Sequence, residues 1–214
     1  MQITIAMATA SHIQYAEDIC NMMSDAAQIR GTGIAKRNPA YISQKMADSK
    51  AVIALDSNQV VGFCYIESWD NQKYVANSGL IVHTDYRNTG LAKAIKKKIF
   101  LLSKQHFPDA KLFGITTSMT VMKINSDLGY QPVTFAALTQ DETFWKGCSS
   151  CPNYDILQRT KQSMCLCTAM VCDLKTVSVK NLIEKPEGWE KFKRFLKYRK
   201  IRLQRKSKEF PKLK

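Results

Sequence analysis

No apolar run in this 214-residue chain approaches the roughly 20 residues that a membrane-spanning helix needs, so no span is expected. The opening residues, Met1-Gln2-Ile3-Thr4-Ile5-Ala6-Met7, lack the basic start of a secretory signal, and the expected compartment is the cytoplasm. Internal repeats, low-complexity linkers and recognisable RNA- or DNA-binding motifs are also missing. Acidic residues are scarce: 18 Asp and Glu stand against 32 Lys and Arg, a formal net charge of +14. With 45% hydrophobic and 23% charged residues, disorder of the whole chain is excluded. The length suits one domain with an appendage, or at most two domains.

The charge surplus is local. Residues 174–214 hold 15 Lys and Arg against 4 Glu, so the preceding body is close to neutral. Seven cysteines in a cytoplasmic chain are expected to be reduced, as core residues or metal ligands.

Residues 2–7 alternate as a strand, and from Ser11 the apolar positions Ile13, Ala16, Ile19 and Met23 recur at helical spacing. A loop-like stretch, Arg30-Gly31-Thr32-Gly33-Ile34-Ala35-Lys36-Arg37, leads to Asn38-Pro39, an N-cap and first-turn proline for a helix through Met46. Two β-rich runs, 51–55 and 60–68, flank the turn residues Asp56-Ser57-Asn58-Gln59. Then follow a strand over 74–82, a helix from Leu91 to about Phe107, a strand over 111–117, a helix over 119–128 closed by Gly129, and a strand over 131–139. This order predicts a mixed α/β (α+β) domain with a mostly antiparallel sheet flanked by helices. We divide the chain into a domain at 1–172, including a Cys-rich segment at 148–172, and a basic amphipathic helical tail at 173–214.

The most informative segment is Leu80-Ile81-Val82-His83-Thr84-Asp85-Tyr86-Arg87-Asn88-Thr89-Gly90-Leu91-Ala92. A strand ends, the chain turns through small and polar residues, and a helix starts at once. The free amides and dipole of that helix start suit a phosphate-bearing ligand. Gly90 and Ala92 keep the approach open. The pattern Val82-x-x-x-Tyr86-Arg87-x-x-Gly90-x-Ala92 resembles the acyl-CoA signature of the GCN5-related N-acetyltransferases (the GNAT superfamily), and the element order resembles theirs too. The resemblance implies a GNAT fold with acetyl-CoA, or another acyl-CoA, as co-substrate. It assigns the pyrophosphate to Arg87, Asn88, Thr89, Gly90, Leu91 and Ala92, and the pantetheine arm to the backbone of Leu80, Ile81 and Val82. Lys93, Lys96, Lys97 and Lys98 on the next helix read mainly as a solvated face.

In that superfamily a tyrosine four residues before a Gly-aromatic pair protonates the departing thiolate. Before Gly129-Tyr130 the matching position holds Asn125, which can donate a hydrogen bond to sulfur but cannot transfer a proton. Glu67 and His83 are the candidate general bases. The loop between the first two helices borders the acceptor site in the superfamily. Here it carries Arg30, Lys36 and Arg37, which suit a carboxylate-bearing acceptor. Together with Val121-Met122-Lys123-Ile124-Asn125 and Gly147-Cys148-x-x-Cys151, this loop resembles a bacterial GNAT group linked to arginine biosynthesis, which implies N-acylglutamate formation.

Cys148-x-x-Cys151 and Cys165-x-Cys167 could present four thiolates to a structural zinc. Buried reduced thiols, with residues 165–172 as an apolar strand, and a redox pair are the alternatives. In the tail, Trp189, Phe192, Leu196 and Leu203 form an apolar stripe among basic residues. That stripe suits docking on the domain or in a homodimer, with nucleic-acid or anionic-membrane contact as the alternative.

The expected function is acyl transfer from acyl-CoA to the amino group of a small molecule, with an amino acid such as glutamate as acceptor. A base, Glu67 through water, frees the amine, and a backbone amide near Val82 polarises the carbonyl. The rivals are a non-catalytic CoA-binding regulator whose tail binds nucleic acid, and a protein or tRNA acetyltransferase.

Overall fold

A computed structural model describes residues 3–30 and 37–177. The basic tail and its apolar stripe lie outside those residues. Seven strands, β1 (Ile3–Met7), β2 (Ala51–Asp56), β3 (Gln59–Trp69), β4 (Tyr74–Val82), β5 (Lys111–Thr116), β6 (Gln131–Val133) and β7 (Thr168–Asp173), form one sheet in the order β1-β2-β3-β4-β5-β7-β6. Every neighbouring pair is antiparallel except β4 and β5. The helices are α1 (Ala16–Arg30), α2 (Pro39–Ala47), α3 (Leu91–His106), α4 (Met119–Asp127), α5 (Glu142–Lys146) and α6 (Tyr154–Arg159).

Local chemistry sets several boundaries. The Asn38 side chain accepts a hydrogen bond from the Tyr41 amide at 2.8 Å, and Pro39 fills the first turn of α2. The β2–β3 hairpin closes at the pair Asp56 and Gln59, with Ser57 at φ 55°. Two expected elements differ. The helix read from Ser11 starts as a tighter 3₁₀ turn, Ala10–Tyr15, where the Thr9 amide donates to His12 Nδ1, and becomes α-helical only at Ala16. The strand read over 131–139 ends at Val133. Pro132 has no amide to donate, which confines β6 to the sheet edge, and a 3₁₀ turn at Phe135–Ala137 follows. β7, drawn from the Cys-rich segment, inserts between β5 and β6, and Leu174 just beyond it is buried.

Alternation along β3 sends Cys64 and Ile66 to one face and Phe63 and Tyr65 to the other. On the first face Ile95, Ile99 and Phe100 of α3 and Ile124 of α4 pack on Val52, Leu112 and Met170. On the second face α1 and α2 cover β2 and β3 through Ile19, Met23, Ile42 and Met46. Further along, Trp145 of α5 and Leu157 of α6 pack on Phe113 and Ala169. A gap therefore remains on this face between the two helix groups, above β3, β4 and β5.

The lysines of α3 divide, with Lys93 and Lys98 exposed as expected and Lys96 buried. Lys98 Nζ donates to the Ile5 carbonyl at 2.8 Å, Lys93 pairs with Asp127 at 2.9 Å, and Lys96 is buried with its ammonium 5.4 Å from the Tyr130 ring centre. Burial pushes the Lys96 ammonium down to about 8. Carrying that charge inside costs about 3 kcal/mol near neutral pH, by the free-energy equivalent of the shift. Because its folded value lies below its unfolded one, the cost is full below about pH 8 and fades as the pH rises to the unfolded value of 10.5. Lys96→Met is therefore expected to raise the melting temperature at pH 7, with a smaller gain at pH 10. An equal gain at both pH values, or a loss at pH 7, would contradict this reading.

Candidate functional site

β4 pairs with β5 only through Tyr74–Lys111, Val75–Leu112 and Ala76–Phe113. Beyond Ala76 the two strands part, although β4 runs on to Val82 and β5 to Thr116. The registers Phe63–Ile81 and Tyr65–Ser78 show an extra residue in β4 between those pairs. Gly79, at φ 63°, supplies this bulge, a backbone conformation that a side chain strains. Together the bulge and the divergence leave a wedge open between the strands.

At the far end of β4 the chain turns at Thr84–Tyr86 and reaches α3, whose N-cap is Gly90 at φ 88°. Among the described residues, the amides of Asn88, Thr89, Gly90, Leu91 and Ala92 donate no hydrogen bond, and nothing lies within 4 Å of where a Gly90 side chain would begin. This leaves an exposed donor array at a positive helix end. Tyr86 holds the loop in place by donating to Asp56 Oδ2 at 2.8 Å, while Thr89 Oγ1 donates to the Tyr86 carbonyl at 2.7 Å. Arg87 is exposed beside Val82, its Nε 3.4 Å from the Val82 carbonyl. His83 packs edge-on against Tyr86 and its Nδ1 accepts from the Asp85 amide at 3.4 Å. It stands on the loop and does not line the cavity described next.

A cavity of about 530 Å³ fills the gap on the second face. Gly79, Leu80 and Ile81 line it, whereas Val82 is buried against β3 as the partner of Gly62. The backbone that faces the cavity thus lies a residue or two earlier than Val82. Glu67, from β3, also lines the cavity, with Lys45 Nζ 2.8 Å from its Oε2 and both side chains 16% exposed. Burial pushes the Glu67 carboxyl up to about 7, against the opposing pull of the Arg37 guanidinium, and burial likewise lowers the Lys45 ammonium. Arg37 borders the same cavity and its Nε donates to the Tyr65 hydroxyl at 2.6 Å. The Arg30 side chain and Lys36 fall outside the described residues.

Asn125 sits beneath the wedge. It is buried on α4, and its Nδ2 would stand 3.7 Å from a side chain built on Gly114, the first β5 residue past the last paired one. Among the described residues its Oδ1 has no hydrogen-bond partner, and its Nδ2 lies 3.9 Å from Met170 Sδ. A buried amide oxygen without a partner beside an opening is the arrangement that a polar ligand atom would complete. On the same side Tyr130 donates to Asn77 Oδ1 at 3.3 Å, and Asn77 Nδ2 donates to Ser103 at 2.7 Å, bracing β4 where it leaves β5.

Cys148, Cys151, Cys165 and Cys167 all reach the wall of this one cavity. All seven cysteines are free, and burial pushes Cys148 up to about 11 and Cys167 up to about 12, so these two are neutral thiols near pH 7. Among the described residues no group of three His, Cys, Asp or Glu side chains is placed to hold a metal ion. As they stand, the four thiols do not fit a zinc centre.

Sequence reading overlooked Lys45, Tyr65 and the rings Trp69, Phe113 and Phe144. Tyr65, Glu67 and Trp69 share one face of β3 by simple alternation, so Glu67 carried a signal for two of its neighbours. Phe144 had none, because its approach depends on how the chain after β6 folds back.

The Acetyltransferase (GNAT) family profile matches residues 18–114. A solved structure of N-acetylglutamate synthase from Neisseria gonorrhoeae, complexed with coenzyme A and N-acetyl-glutamate, is similar at TM-score 0.56 and 12% identity, over 81% of this chain and 35% of that one. Diaminobutyrate acetyltransferase from Paenibacillus lautus, in complex with L-2,4-diaminobutyric acid and coenzyme A, is similar at TM-score 0.54 and 9% identity, over 83% of this chain and 98% of that one. Among curated proteins, large ribosomal subunit protein bL9 from two strains of Anaplasma marginale is 32% identical over 111 residues, 49% of this chain. The matched stretch spans 46% of those relatives' length. The described residues have the mixed α/β GNAT fold, and the match to the acetyltransferase family profile itself covers residues 18–114.

Proposed function

We propose that this chain transfers an acyl group, in the first instance acetyl, from acyl-CoA to the amino group of an amino acid. The observation that carries the proposal is the wedge between β4 and β5, which joins a donor-rich helix start on one side to a cavity holding Arg37 and Glu67 on the other. The amides of Asn88, Thr89, Gly90, Leu91 and Ala92 receive the pyrophosphate, and the freed edge of β4 carries the pantetheine arm. Glu67, directly or through one water, takes a proton from the acceptor ammonium. The amine lone pair then attacks the thioester carbonyl, the C–S bond breaks, and CoA leaves as thiolate beside the Asn125 amide, drawing its proton from solvent.

Arg37 binds the acceptor's carboxylate. The likenesses to N-acetylglutamate synthase and diaminobutyrate acetyltransferase support an amino acid, and the sequence resemblance to the arginine-biosynthesis group made glutamate the first candidate. Arg37→Ala is expected to raise KM for amino acids about tenfold or more, the worth of one charged hydrogen bond, with CoA affinity unchanged. Steady-state thiol release against acceptor concentration checks this. An unchanged KM, or equal loss for an amine without a carboxylate, would overturn the role of Arg37.

A second reading has its own observation, the bL9 likeness of a chain whose surplus charge lies in residues 174–214. It makes the protein an RNA-associated CoA binder, or an acetyltransferase for protein or tRNA. RNA affinity that collapses between low and moderate salt, with no thiol release on any small amine, would favour it.

A further inference from the structure

We infer that the acceptor is an amino acid with an aromatic side chain rather than a dicarboxylic one. This deepens the acyltransferase reading and rests on it. Among the described residues lining the cavity only Arg37 and Glu67 are charged, and both belong to the end formed by α2 and β3. Tyr65 and Lys45 engage these two at 2.6 Å and 2.8 Å. Further along the same face of β3, and across to β5 and α5, the wall has a different chemistry. Trp69, Phe113 and Phe144 form a closed triangle, with ring centres 5.5 Å (Trp69 to Phe113), 5.2 Å (Trp69 to Phe144) and 4.9 Å (Phe113 to Phe144) apart. The thiols of Cys148, Cys151, Cys165 and Cys167 complete that wall.

These two parts of the wall fix how an amino acid lies in the cavity. Its amino group must stand at the wedge within reach of Glu67, and its α-carboxylate goes to Arg37. The side chain then has the space toward β5 and the ring triangle. A glutamate there would bring a second carboxylate out of water against rings and thiols, with no cation among the described lining to receive it. An aromatic side chain instead gains edge-to-face contacts with the triangle and sulfur contacts with the thiol wall.

The test is thiol release from acetyl-CoA by the full chain, with L-phenylalanine, L-tryptophan, L-glutamate and glycine as separate acceptors. The expected result is a kcat/KM for the better aromatic at least about tenfold above that for glutamate. Phe144→Leu should then raise KM for the aromatic several-fold, and by a larger factor than it raises KM for glycine. The wild-type ratio decides the matter even if the variant fails to fold. A ratio at or below one overturns the aromatic assignment but leaves the acyltransferase standing. Release with none of the amino acids, while CoA still binds, overturns both.

Discussion

Glu67→Gln is expected to lower kcat by about 10²-fold or more, the usual worth of a positioned general base, while acetyl-CoA still binds. In the proposed role the carboxylate is the form that takes the proton, and burial raises its value to about 7. Wild-type kcat should therefore rise with pH through about 7 and level off above it, and the variant should lack this limb. Lys45 sharpens the prediction. Its ammonium, 2.8 Å from Glu67, favours the ionised carboxylate, so Lys45→Met should move the limb to higher pH. Rate profiles from pH 5.5 to 9 for the three proteins decide it. An identical limb in wild type and Glu67→Gln would assign the proton to another group.

Gly79→Ala is expected to disable the site and weaken the fold together. At φ 63° a side chain costs about 1–2 kcal/mol by itself. The added carbon would also run into the Tyr65 ring and approach Met23 Cε to 2.8 Å, an overpacking worth about another 1–3 kcal/mol. The damage falls on function because Tyr65 is the residue that Arg37 Nε holds, and because the bulge sets which β4 residues face the cavity. We expect a melting temperature lower by several degrees and kcat/KM lower by about 10²-fold, as small misplacements in a positioned site produce. Gly114→Ala is the control for stability: its new carbon would meet Asn125 Nδ2 at 3.7 Å, an ordinary contact. A fully stable and active Gly79→Ala would contradict the part assigned to the bulge.

Part of this architecture was legible in the sequence because local chemistry decides it. Asn38-Pro39 starts a helix, Ser57-Asn58 closes a hairpin, and a glycine beside Arg87 opens a helix with free amides. Other parts depend on partners distant in the chain. The strand read over 131–139 shortens because Pro132 sits on the sheet edge, and β7 reaches its place only by inserting between β5 and β6. Lys96 reads as exposed by composition, yet α3 turns it toward Tyr130. Of the site, Glu67 and Arg37 could be named from sequence, and the structure brings them to one cavity, while His83 stays on the loop. The cysteine spacing raised a four-thiol group as one option. It could not show that they would face the cavity wall, because that depends on the path between Cys151 and Cys165.

On the proposed function, the wedge between β4 and β5 brings an acyl-CoA thioester to an amine beside Glu67. The most direct test incubates the full chain with acetyl-CoA and an amino-acid panel, and measures released thiol and N-acetylated product in the same samples. Equal amounts of the two are expected, both lost in Glu67→Gln, with CoA binding retained. A protein that binds no CoA, or that binds it and acylates no amine, would contradict it.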